Sequence, residues 1–97
     1  IVKVNKKFRK PDSTEKKALQ DLAEQISKMS PALQPEEMQT IVYSVGKTHY
    51  SKERLREWFK MIYEVLFGDE QGPRMGSFIS FYGIKETVNL INKSIND

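Results

Sequence analysis

Three features of the chain predict an all-α fold. Apolar residues recur at three- and four-residue steps in five successive segments, Pro and Gly stand where those segments start and stop, and no segment alternates polar and apolar residues over the length of a strand. The expected architecture is a compact bundle or cage of about five short helices behind a basic, extended N-terminal segment. This divides the chain into a leader over residues 1–12 and a helical domain over 13–97.

The first helix is expected from about Ser13 to Met29, with Leu19, Leu22, Ile26 and Met29 on one stripe and lysines and acids on the others. Asp12 or Ser13 can cap it, Glu15 sits favourably in its first turn, and Ser30-Pro31 ends it because a residue before proline disfavours the helical region. Pro35-Glu36-Glu37 opens a second helix, with a preset φ and two acids facing the dipole. Its stripe is Met38, Ile41, Val42 and Val45. Gly46 weakens the last turn, and Lys47 to Tyr50 form a connection. Ser51 is a cap for a third helix, whose apolar band (Leu55, Trp58, Phe59, Ile62 and Leu66, widened by Met61, Tyr63 and Val65) predicts a central element closed by Gly68. Pro73 then marks a short fourth helix, with Met75, Phe78, Ile79 and Tyr82 as far as Gly83. A fifth carries Ile84, Val88, Ile91 and Ile95 inward.

A chain of 97 residues has room for one small domain. It has no cysteine, which removes disulfides, thiolate metal sites and a thiol nucleophile, and no apolar run of membrane-spanning length. A reducing, cytoplasmic setting and no membrane partner are therefore expected. The net charge of +3 is uneven, because Lys3, Lys6, Lys7, Arg9 and Lys10 put five cations and no acid into the first ten residues. The other 87 residues carry eleven bases against thirteen acids. The basic pI near 9.2 thus belongs to the leader, which reads either as a solvated connection to a preceding segment or as a phosphate contact.

The inventory argues against chemistry within this chain. The only histidine, His49, falls in a polar connection, so neither a catalytic residue nor a metal site is expected. Glu36-Glu37 and Asp69-Glu70 are explained by helix-end and turn chemistry. The run from Gly68 to Gly76 lacks the Lys-Ser or Lys-Thr of a phosphate-binding loop and follows a helix rather than a strand. It does put Arg74 in a first helical turn, where a cation opposes the dipole. A residue placed against its local environment is a candidate for contact with an anion or a base edge, the alternative being an exposed arginine tolerated at small cost.

Between Tyr43 and Tyr63, cations and aromatics interleave: Lys47, His49, Tyr50, Lys52, Arg54, Arg56, Trp58, Phe59 and Lys60 lie between them. Flat rings beside guanidinium groups are surfaces on which unpaired bases stack. The competing account puts Trp58 and Phe59 in the core and makes Lys52, Arg56 and Lys60, with Glu53, Glu57 and Glu64, an ordinary solvated face. Tyr50 and Tyr63 then remain without a role.

Residues 55–91 carry a longer pattern: Ile62-Tyr63-Glu64-Val65-Leu66-Phe67-Gly68, four residues, Pro73-Arg74-Met75-Gly76-Ser77-Phe78-Ile79, and Tyr82-Gly83 before an amphipathic helix. This resembles the C-terminal end of class I lysyl-tRNA synthetases, and is similar to the related end of glutamyl-tRNA synthetases. The resemblance implies an all-helical anticodon-binding cage whose partners are the anticodon loop of tRNA-Lys and the catalytic domain of the same chain. It also implies that Tyr63, Gly72, Pro73, Arg74 and Met75 approach the third anticodon base, with an aromatic at Tyr63 where glutamyl enzymes can hold a basic residue. Lys47, Tyr50, Lys52 and Arg54 are further candidates for contact with the RNA backbone. The family's nucleotide-binding motifs are missing here, Lys28-Met29-Ser30 being a chance echo. The fragment is therefore expected to hold no cofactor, with ATP and magnesium bound in the catalytic part of the full lysine-activating enzyme. The alternative function is a helical protein-interaction module.

Overall fold

The computed structural model describes residues 8–30 and 32–96, and the expectations for Lys3, Lys6, Lys7 and Pro31 lie outside them. The described residues form α1 (Ser13–Ser27), α2 (Pro35–His49), a one-turn 3-10 helix (Lys52–Arg54), α3 (Leu55–Leu66), α4 (Met75–Tyr82) and α5 (Ile84–Asn96), with no strand among them. The all-α class and the order of five helices follow the periodicity. The differences lie at helix ends and in which helix is central.

Asp12 and Glu15 start α1 with a reciprocal capping box, in which each side chain accepts the other residue's backbone N–H at 2.9 Å. The same Glu15 holds Arg9 in a two-pronged pair at 2.8 and 3.2 Å, while the Arg9 Nε donates to Glu64 of α3 at 3.0 Å. One leader cation is therefore engaged within the fold, tying the segment before α1 to α3. At the other end α1 stops at Ser27, two residues before Met29, because the Lys28 and Met29 amides turn to the tighter i−3 carbonyls of Gln25 and Ile26.

Gly46 does not weaken α2, which continues to His49 and absorbs the expected connection. The glycine is a packing position: a Cβ there would stand 2.5 Å from Cδ1 of Trp58 and 2.9 Å from a methyl of Leu55, so its absence lets α3 seat its indole against α2. Trp58 is fully buried, and its Nε1–H donates to the Val42 carbonyl at 3.1 Å. His49 is the last residue of α2 rather than part of a loop, and its Nε2 lies 2.9 Å from the Asp21 carboxylate of α1. It ties the two helices together.

By backbone packing α5 lies against α1, α3 and α4 and α3 is touched by both α5 and α2, but the most extensive contacts are those of α2, against α1, α3 and α4. Its closest approach is to α4 at Gly76, whose own N–H donates to the buried Gln39 side chain at 2.6 Å. α3 fills the core with bulk instead, through Trp58, Met61, Ile62, Val65 and Leu66, and such side chains hold its backbone away from its neighbours. They pack with Leu19, Leu22 and Ile26 of α1, Met38 and Val42 of α2, Met75 and Ile79 of α4, and Ile91 of α5 in one cluster.

Ser51 supports a 3-10 turn before α3 rather than capping it directly, and α4 begins at Met75 rather than at Pro73. Arg74 is consequently the residue before α4, not a member of its first turn. It offers no side-chain cap, and the missing acceptor is supplied across the helix pair by Gln39, which binds the N–H of the second helical residue, Gly76. Gly83, at φ +105°, separates α4 from α5, and its carbonyl accepts both the amide and the hydroxyl of Thr87. Thr87 is fully buried, so the inner face of α5 is turned toward Thr87, Ile91 and Ile95, with Ile84 and Val88 at its margin.

Candidate nucleic-acid interface

Tyr63 stands in the last turn of α3, half-buried, and the chain returns to it after the helix closes. The Tyr63 carbonyl accepts the Phe67 amide at 2.9 Å and the Asp69 amide at 3.4 Å, and Gly68 takes a positive φ of 71° that lets the backbone reverse. The turn then lays Gly72 on the tyrosine. A Cβ on Gly72 would fall 2.8 Å from Cδ1 of Tyr63 and 3.2 Å from the Phe67 ring, so glycine allows the backbone to cover both aromatics. Pro73 and Arg74 follow, both exposed, and among the described residues Arg74 has no carboxylate partner. Tyr63, Gly72, Pro73 and Arg74 thus belong to one corner of the molecule. Met75 is adjacent in sequence, but its side chain is fully buried, leaving its backbone as the only part near that corner.

The second group is not gathered in the same way. Lys47 and Lys52 are exposed on α2 and on the 3-10 turn. Tyr50 is buried in the core, its ring centroid 5.6 Å from that of Trp58, and the Arg54 guanidinium covers it at 5.5 Å while also holding Glu57 at 2.8 Å. Burial raises the Tyr50 phenol above its ordinary range, with the nearby carboxylate of Glu15 adding to the effect. Its ring faces are occupied by protein. Tyr63 is also raised, first by burial and then by Tyr43, so both phenols keep their protons at neutral pH and remain donors.

Several neighbours of the corner escaped the sequence reading. From Tyr63 the aromatics continue through Phe67 at 6.1 Å and Phe78 at 4.9 Å to Tyr82 at 4.8 Å between ring centroids, a row linking the end of α3 to the outer face of α4. Phe78 and Tyr82 carry the right four-residue spacing, but that spacing alone cannot distinguish a core stripe from a half-exposed one, and Tyr82 is 43% exposed. On the other side of Tyr63, an open groove of about 390 Å³ runs along α3 between Arg56, Phe59, Lys60, Glu70 and Gln71. Among the described residues no group of three or more His, Asp or Glu side chains is disposed to hold a metal, and no helix is long and apolar enough to cross a membrane.

Half-buried rings, the uncompensated cation of Arg74 and an exposed Gly-Pro backbone share one corner of an all-helical domain. The chain is 42% identical over 95 residues, 98% of its length, to lysine–tRNA ligase of Roseobacter denitrificans. It is 40% identical over 92 residues to the lysine–tRNA ligase of Rickettsia felis and 37% identical over 96 residues to that of Rickettsia bellii. It spans 17–18% of the length of these relatives. No protein-family model and no solved structure matches the chain.

Proposed function

We propose that this chain is the anticodon-recognition domain of a class I lysine–tRNA ligase, with residues 1–12 as a leader and 13–97 as the binding unit. The observation that carries the reading is the meeting of Tyr63, the Gly72-Pro73 backbone and the unpartnered Arg74 at one exposed corner, in a chain whose whole length is matched by lysine–tRNA ligases. An unpaired base of the anticodon loop stacks on the exposed part of the Tyr63 ring, backbone groups from Gly72 to Met75 meet its polar edge, and Arg74 supplies the cation for a base acceptor or a phosphate. Lys47 and Lys52 add phosphate contacts, and Arg54 contributes the charge that Glu57 leaves over. The Tyr50 ring, already covered, takes no base.

In this proposal the catalytic domain lies elsewhere in the same polypeptide, binds ATP and magnesium, and joins lysine to tRNA-Lys in the cytoplasm. The helical cage aligns the tRNA, so its contribution is to kcat/KM for the cognate molecule. The test is aminoacylation by the full-length enzyme with tRNA-Lys and with a tRNA changed at the third anticodon base. Arg74→Ala should lower kcat/KM for the cognate tRNA about 10-fold or more and narrow the gap between the two, as loss of one good base or phosphate contact would. An unchanged gap with an unchanged cognate value refutes the reading. One observation favours a helical protein-interaction module instead, the 92% exposure of Phe81. That reading requires a partner whose affinity is nearly independent of salt.

A further inference from the structure

The groove along α3 begins at Tyr63 and extends to residues that the corner contacts leave unused, and its composition is specific. Arg56, Phe59, Lys60 and Tyr63 share one face, the two cations four residues apart and the two rings four residues apart, so that cations and rings interleave. Phe59 is only partly buried, and Tyr43 of α2, 43% exposed, meets it edge-on with centroids 5.2 Å apart at 68°. Phe59 lines the groove one helical turn from Tyr63 and Tyr43 stands beside it edge to face, so the two rings make a stepped shelf at the groove's margin. The charges are sorted as well. Of the acids on α3, Glu57 is held by Arg54 at 2.8 Å and Glu64 by Arg9 at 3.0 Å, whereas Arg56 and Lys60 have no carboxylate partner among the described residues. One acid, Glu70, lines the groove from the turn side. A polyanion that also carries flat apolar faces fits this surface better than an acidic or aliphatic peptide, because the rings answer the bases and the cations answer the phosphates.

We propose that this groove is a second nucleotide subsite: a neighbouring unpaired nucleotide of the same loop stacks on the Tyr43–Phe59 shelf, and its phosphates are held by Arg56 and Lys60. The proposal rests on the RNA-recognition reading above and extends it from one base to two consecutive bases. A turn of α-helix advances about 5.4 Å, which is of the order of one step along an extended strand, so Tyr63 and Phe59 suit adjacent bases.

The test uses the full-length protein and anticodon stem-loops in which each unpaired nucleotide in turn is made abasic, with affinity read by fluorescence anisotropy over a series of salt concentrations. Tyr43→Leu should weaken binding of the complete loop about 5- to 100-fold, the range of a lost base–aromatic stack. That loss should vanish on one abasic loop, next to the position at which the effect of Tyr63→Leu vanishes. Arg56→Gln combined with Lys60→Gln should lower the slope of log affinity against log salt by about 0.7 for each phosphate released, up to about 1.4. If Tyr43→Leu and the double charge variant bind within about twofold of wild type while Tyr63→Leu is impaired, the subsite is overturned and the corner reading stands. An equal loss from Tyr43→Leu on every abasic loop also overturns it, since the effect then follows packing rather than a base. If Tyr63→Leu and Arg74→Ala leave binding unchanged too, the RNA reading itself fails.

Discussion

Gly76→Ala sets two effects of opposite sign against each other, and the structure decides between them. In an isolated helix the change would gain about 1 kcal/mol, since alanine is the better helix former. At this crossing of α4 over α2, however, a Cβ would stand 2.7 Å from the Gln39 backbone nitrogen and 2.8 Å from the Gln39 Cβ, and closer still to the Pro35 carbonyl oxygen. Two of those atoms are backbone in the first turn of α2 and cannot rotate aside, so the helices must separate. Overpacking of this kind costs about 1–3 kcal/mol. Separation also strains the 2.6 Å bond from the Gly76 amide to the Gln39 side chain, and a buried amide left without a partner costs about 1–3 kcal/mol more. The net expectation is destabilisation by about 1–5 kcal/mol, centred near 3 kcal/mol. For a domain of this size the central value is a fall in Tm of about 12–24 °C, read by far-UV circular dichroism. A variant as stable as the wild type, or more stable, would refute the close approach. The cycle with Gln39→Ala adds a second check: the double variant should fall short of the sum of the singles by about 1–2 kcal/mol, because both changes disrupt the same hydrogen bond.

Glu15→Ala removes half of the capping box and the two-pronged partner of Arg9, and should cost about 1–2 kcal/mol in denaturant unfolding. Glu24→Ala, which breaks only the exposed pair with Lys28, should cost less than about 0.5 kcal/mol. The Asp21 carboxyl is held below its usual range, first by the hydrogen bond with His49 and then by that with Gln25. A depressed carboxyl stabilises the fold above its unfolded value and loses that contribution as pH falls through the folded one. Asp21→Asn should therefore be less stable than wild type at pH 7, and the gap between thermal melts should close progressively as the pH falls below about 4 and through the lowered folded value; a gap that persists below that value would show that the charge is not the cause. Gly72→Ala presses on the movable rings of Tyr63 and Phe67 rather than on backbone, so it should lower Tm much less than Gly76→Ala does while weakening stem-loop binding about 10-fold. Equal binding by Gly72→Ala and wild type would show that the Tyr63 contact with the turn is not part of the interface.

The helices were legible because each buries one stripe, and a stripe at helical period depends on side-chain type alone: Leu19, Leu22 and Ile26 could be placed before any coordinates. Gly46 and Gly76 were not legible in the same way. A glycine within a helix reads locally as a weak point, and the use of these two depends on Trp58, 12 residues after Gly46, and on Gln39, 37 residues before Gly76, standing where a Cβ would be. The burial of Tyr50 was hidden for a related reason: its neighbours in sequence are polar, but Trp58 and Arg54 close on its ring once α2 and α3 pair. At the candidate site, Tyr63 and Arg74 can be singled out from local conflict and pattern, whereas Tyr43 and Phe59 stand out only as members of an interleaved run, and their meeting across two helices has no local signature.

The placement of Arg74 follows from a contact that lies away from the candidate site. A helix normally begins where its own side chain can satisfy the first amides, and neither Pro73 nor Arg74 can do so. Gln39 does it from α2, and it can reach the Gly76 amide only because the missing Cβ lets the two backbones approach. The start of α4 is thereby set by α2, and the residue just before it, Arg74, is carried to the exposed corner beside the end of α3. A cation there stands against the helix dipole, which repels it from the helix end and favours an extended side chain over one folded back on the backbone. The buried glutamine and glycine therefore act on the site through position alone. Gln39→Glu should make this visible: it retains the acceptor for the Gly76 amide but introduces a charge that is nearly buried, so α4 loosens from its first turn. Amide hydrogen exchange should then speed up from Met75 to Phe78 and leave α1 unchanged. Faster exchange throughout the chain would mean that Gln39 supports the whole fold and not the placement of this corner.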